Sequence, residues 1–133
     1  MAARNSQKTY IHNGYYHVYN RGVEKRDIFL DSQDYAVFLS YLENYLLPKD
    51  KKGLEEQLSD PTLSPAEKDK ILRLLRMNNF HNEITLLAYC LMPNHFHFLL
   101  KQASKNALDS FMNSLSTRYA MYFNKKYKRI GHL

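Results

Sequence analysis

Residues 84 to 100 read Ile-Thr-Leu-Leu-Ala-Tyr-Cys-Leu-Met, then Pro-Asn, then His-Phe-His-Phe-Leu-Leu. Two apolar runs parted by proline and asparagine predict a hairpin, with Pro93 fixing φ and Asn94 tolerating left-handed geometry. Successive strand side chains point to opposite faces, so Phe96 and Phe98 go to the core while His95 and His97 share the other face beside the turn. Such a hairpin needs other elements to cover its apolar face, and its second face carries two imidazoles aimed the same way. In a chain with six histidines a His-x-His spacing is most often an ordinary surface or core pair. Its place at the start of a strand, next to a turn that solvent and substrate reach, makes His95 and His97 a candidate metal pair.

The other elements follow from pattern. Gly14-Tyr15-Tyr16-His17-Val18-Tyr19-Asn20 has the aromatic and β-branched content of a first strand, with Tyr15, His17 and Tyr19 on one face and Tyr16 and Val18 on the other. The loop after it holds Arg21, Lys25 and Arg26 beside Gly22, a composition that suits phosphate contact and equally suits a solvated turn. Asp31-Ser32-Gln33-Asp34 predicts a helix start, Tyr35, Phe38, Leu39, Leu42 and Leu46 a core-facing stripe, and Pro48 its stop. Residues 49–80 change character to mixed charge with breaks at Gly53, Pro61 and Pro65. Ser64-Pro65-Ala66-Glu67 is a capping box, so this stretch is expected to be a peripheral helical insertion.

Asn106-Ala107-Leu108-Asp109 opens a long helix whose stripe is Leu108, Phe111, Met112, Leu115, Tyr119, Tyr122 and Phe123. Arg118, Lys125, Lys126 and Lys128 gather towards its end, favourable for the helix dipole and available to phosphates. The order strand, helix, insertion, strand, strand, helix is five elements of a βαββαβ unit. The expected fold is therefore α+β, a ferredoxin-like palm with an antiparallel sheet in one domain spanning 1–133.

Nineteen Lys and Arg against thirteen Asp and Glu give a net charge of +6, which favours an anionic partner. Past Lys101 the only acid is Asp109. A single cysteine, Cys90, excludes an internal disulfide framework and a thiolate-rich zinc site, and fits a reducing cytoplasm. No run approaches the length of a membrane span, and the first residues lack an apolar signal core, so no membrane partner is expected. Glycine-rich phosphate loops, nucleophilic Ser or Cys motifs and internal repeats are absent, which narrows the chemistry to the histidine pair.

Together, Tyr16-His17-Val18-Tyr19-Asn20-Arg21-Gly22, Asp27-Ile28-Phe29, Met92 to Leu100, Tyr122-Phe123-Asn124-Lys125-Lys126-Tyr127 and Gly131-His132-Leu133 resemble the single-tyrosine HUH transposases. The REP-associated tyrosine transposases of the insertion-sequence-200-like family are the branch they look most like. The resemblance implies a single-strand DNA endonuclease and strand transferase, acting on single-stranded or hairpin DNA as a homodimer. It implies that His95 and His97 bind Mg²⁺ or Mn²⁺ and are the catalytic pair, with His17 behind or beside them. It implies a tyrosine nucleophile on a helix with a Tyr-Ile-x-x-Asn-Pro motif that would follow a last strand. Residues 1–133 hold no such motif, so the expectation is a truncated transposase with no nucleophile in the chain; the alternative is a non-cleaving module that binds DNA hairpins. Arg21, Lys25, Arg26, Arg118, Lys125 and Lys126 are the expected DNA contacts.

Overall fold

The computed structural model describes Ile11 and residues 13–133. Three antiparallel strands, β1 (Tyr15–Arg21), β2 (Ile84–Met92) and β3 (His95–Gln102), form a sheet in the order β1-β3-β2. Helix α1 (Ser32–Leu46) follows β1, α2 (Lys51–Leu58) and α3 (Pro65–Arg76) lie between α1 and the hairpin, and α4 (Ala107–Tyr127) follows β3. This is an α+β fold compatible with a ferredoxin-like βαββα palm, and it puts the histidine strand in the centre of the sheet.

Among the described residues, helices cover one face of the sheet and leave the other open. Phe96, Phe98 and Leu100 of β3 are buried together with Phe38 and Leu42 of α1 and Phe111, Leu115 and Tyr119 of α4. The Phe38 ring lies 5.1 Å from Phe96 and 5.2 Å from Tyr119, so the two helices meet the central strand through aromatic contacts. Each such side chain contributes about 1.5–3 kcal/mol on burial, which is what fixes the register of β3 with the histidines outward.

Caps agree with the sequence in part. Asp31 accepts from the Asp34 amide and Ser64 forms the full capping box with Glu67. Asn106 makes no side-chain cap; instead Gln102, fully buried at the end of β3, accepts from the Leu108 amide at 3.0 Å. Asn94 also departs from expectation. Its φ is not positive, and it works through its side chain, as described below. Residues 51–76 form two helices that bury only Ile71. The unit is tied back by Lys49 Nζ on the Leu75 and Met77 carbonyls and by Asn79 Nδ2 on the Leu47 carbonyl at 2.7 Å.

Candidate metal and nucleic-acid site

Register determines what the uncovered face displays. Cross-strand partners share a face, so β1, β3 and β2 contribute the rows Arg21, His95, Met92; Tyr19, His97, Cys90; His17, Leu99, Ala88; and Tyr15, Lys101, Thr85. These rows contain three imidazoles, two phenols and two cations, and no carboxylate. The alternation seen in the sequence of β1 and β3 predicts this face correctly.

The imidazoles are held by hydrogen bonds at one ring nitrogen each. His95 Nδ1 lies 2.6 Å from Asn94 Oδ1, an acceptor, so it carries the proton and leaves Nε2 with a lone pair. His97 Nδ1 lies 2.9 Å from His17 Nε2; with His97 donating, its own Nε2 is likewise left with a lone pair. The His17 and His97 rings are 8° from parallel, and His95 meets His97 edge-on with centroids 5.0 Å apart. Partial burial, reinforced by the neighbouring His17 and His95, lowers the His97 pKa and so favours the neutral ring, the form that ligates.

A basic loop is tied to the same turn. The Gly22 amide donates to the Asn94 carbonyl at 2.9 Å, and the Ile28 and Phe29 amides donate to the Pro93 carbonyl at 2.7 and 3.0 Å. Asn94 Nδ2 reaches the Lys25 carbonyl at 3.4 Å. Between these ties Glu24 and Lys25 both take φ near 57–58°, which costs on the order of 1–3 kcal/mol each and persists only where the surroundings enforce it. Gly22 is required by close approach: a Cβ there would run into the Arg26 carbonyl oxygen and sit 2.8 Å from Ile28 Cγ2. Arg21 pairs directly with His95 in the ladder, and Lys25 is exposed. The structure thus pairs Arg21 with His95 and ties the backbone of the loop that carries Lys25 and Arg26 to the turn where the histidine strand begins.

The remaining cations are placed elsewhere. Arg118 lies in the helical layer with its guanidinium 3.9 Å from the Tyr41 ring centroid and Nη1 3.3 Å from Met77 Sδ. Lys126 Nζ binds Asp31 at 2.7 Å and the buried Asp34 at 2.9 Å. Lys125, one residue before it, is exposed.

Asp34 is the residue that sequence reading missed. It reads as a first-turn acid, yet it is fully buried and also accepts from Tyr122 at 2.8 Å, Tyr127 at 2.6 Å and the Leu30 amide at 2.9 Å. Burial opposes its ionisation, but hydrogen bonds from Tyr127, Lys126, Leu30 and Tyr122 outweigh that and hold the carboxyl at about 2. Burial and the Asp34 hydrogen bond push Tyr122 up to about 12, and the same two causes raise Tyr127. Tyr119, raised by burial and then by Asp34, donates to the Ile28 carbonyl. Tyr127, the last residue of α4, is fixed there by Asp34 and by Phe123, whose ring centroid is 4.5 Å away. All three phenols lie on the helix side of the sheet, away from the histidines.

Among the described residues no group of three His, Cys, Asp or Glu is arranged to hold a metal ion, and no helix is long and apolar enough to cross a membrane. The donor set on the open face is two imidazole Nε2 atoms; a metal held there would complete its shell with water or substrate oxygens. No curated protein and no solved structure matches the chain. A family model described as "Transposase IS200 like" matches residues 60–133, more than half of the chain and inclusive of the His95–His97 strand and all of α4. The match is to the family as a whole and selects no branch of it. On that match and on the palm that carries it, the chain belongs to the IS200-like transposase family.

Proposed function

We propose that this chain is the metal-holding palm of a transposase that cleaves and rejoins single-stranded DNA laid across the open face of its sheet, acting as a homodimer, with His95 and His97 holding Mg²⁺ or Mn²⁺ at the scissile phosphate. The observation that carries this reading is that His95 and His97 are both held at Nδ1, which leaves Nε2 of each for a ligand, beside a cationic loop tied to the same turn. When bound, the metal supplies Lewis-acid polarisation of the phosphate and a template that orients it. His95 and His97 would hold the metal through Nε2, with Asn94 and His17 keeping their rings in place. Imidazole donors favour Mn²⁺ over the oxygen-preferring Mg²⁺. Arg21, Lys25 and Arg26 neutralise phosphates on either side, whereas exposed Lys125, on α4, meets DNA only where the strand leaves the open face. Arg118 and Lys126 reach DNA only by leaving the partners described above.

The resemblance implies that a tyrosine oxygen bonds to the phosphorus as the bond to the 3′-oxygen breaks. The 3′-oxygen leaves with a proton, and the phosphodiester energy is conserved in a 5′-phosphotyrosine. Tyr119, Tyr122 and Tyr127 are proposed not to be that nucleophile, since their hydroxyls are engaged on the helix side and their pKa values are raised.

Replacing the metal with Fe²⁺ in the presence of ascorbate and peroxide tests the reading on a labelled DNA hairpin with single-stranded flanks. Scission confined to a few flank nucleotides, and lost in His95→Ala/His97→Ala without loss of hairpin binding, is expected. Uniform scission, or scission unchanged in the double variant, contradicts it. The engaged phenols favour a second reading, a non-cleaving hairpin-binding module. A protein–DNA adduct that survives a denaturing gel separates the two, because only strand transfer makes one.

A further inference from the structure

The open face continues past the histidines with two tyrosines that no described element covers. Tyr15 is 64% and Tyr19 45% exposed, although both lie within β1. Each has a cation at its ring: Lys101 Nζ lies 5.5 Å from the Tyr15 centroid and Arg21 Cζ lies 5.6 Å from that of Tyr19. An exposed tyrosine on a strand is ordinary, since the residue has high strand propensity. Two on one face, each with a cation, on a face where the described residues place no carboxylate and no covering helix, make a different surface.

From this we propose that Tyr15 and Tyr19 are stacking platforms for two unpaired bases of a single nucleic-acid strand, with Lys101 and Arg21 on the adjoining phosphates. Every base has a π-face, so such platforms tolerate sequence, and aromatic rings with neighbouring cations along an open sheet are how single strands are held. The two rings are four residues apart, about 13 Å along the strand, so each takes its own base. Tyr19 also lies against His97, with ring centroids 5.2 Å apart, which sets one stacked base next to the histidine pair. Duplex DNA hides its base faces within the stack and cannot use either ring. The proposal deepens the reading of the open face as the DNA side and does not need metal.

Equilibrium titration of metal-free protein into a short single-stranded oligonucleotide containing 2-aminopurine tests it. The expected result is quenching on binding, with Tyr15→Ser and Tyr19→Ser each weakening affinity roughly 5- to 150-fold. Tyr15→Phe and Tyr19→Phe should stay within about twofold, because the ring and not the hydroxyl stacks. Tyr89→Ser, an exposed tyrosine that lies opposite Phe98 and so off this face, should leave binding unchanged. Wild-type affinity in the two serine variants, no quenching by the wild-type chain, or equal affinity for the matching duplex would overturn the proposal. Because the assay contains no metal and no cleavage step, the stacking proposal can survive or fall independently of the chemistry at His95 and His97.

Discussion

His17 Nε2 lies 2.9 Å from His97 Nδ1 across the β1–β3 ladder, with the two rings nearly parallel. This contact decides which nitrogen of His97 faces outward. Replacing His17 with Phe keeps a flat ring and removes the partner for the Nδ1 proton. Nitrogen-15 correlation spectra of the His97 ring are expected to show the Nδ1-protonated form in the wild type and a shift towards the Nε2-protonated form in His17→Phe. Mn²⁺ affinity should fall by roughly 10- to 100-fold, as for loss of a partner that orients a ligating histidine. An unchanged tautomer in the variant means that His17 does not orient the ring.

Gly22→Ala should displace the basic loop. The added methyl meets the Arg26 carbonyl and Ile28, and overpacking of this kind costs about 1–3 kcal/mol. Urea denaturation should register that loss. Affinity for single-stranded DNA should fall severalfold, and the slope of log affinity against log salt should shrink by roughly one for each cation moved away. Unaltered salt dependence would mean that Arg21, Lys25 and Arg26 do not contact phosphates.

Asp34→Asn tests the network that joins α1 to the end of α4. The folded pKa is depressed from 3.8 to about 2, so the carboxylate's contribution is fully present above about pH 4 and is lost as pH falls through about 2. Its size from that shift is about 2 kcal/mol. Denaturation at pH 7 should therefore show the variant less stable by that order, with the difference closing near pH 2. A gap that persists in acid would assign the loss to packing and not to charge.

The parts of this fold that were legible in the sequence are those set by short-range pattern. Alternation along Tyr15–Arg21 and His95–Gln102 is enough to assign faces, because a one-residue slip would bury the histidines and expose Phe96 and Phe98. What was not legible depends on residues distant in sequence. Lys126 looks like a cation offered to phosphate until the packing of α4 on α1 brings it to Asp31 and Asp34. Arg118 looks similar until Tyr41, on the facing helix, comes beneath it. Tyr122 belongs to an apolar stripe by spacing, yet its hydroxyl serves a carboxylate 88 residues earlier. Gln102 resembles a strand-end polar residue, but it caps α4 from outside the helix. Gln102→Leu should cost about 0.5–2 kcal/mol, the range for loss of a helix cap, as measured by denaturant unfolding.

Direct Mn²⁺ titration followed by electron paramagnetic resonance tests the role of the open face as a metal site. Wild-type protein is predicted to bind a single ion, with His95→Ala and His97→Ala each abolishing binding and Tyr127→Phe leaving it unchanged. Equal Mn²⁺ binding by the wild type and the His95→Ala/His97→Ala protein would contradict the assignment of this face as the metal centre.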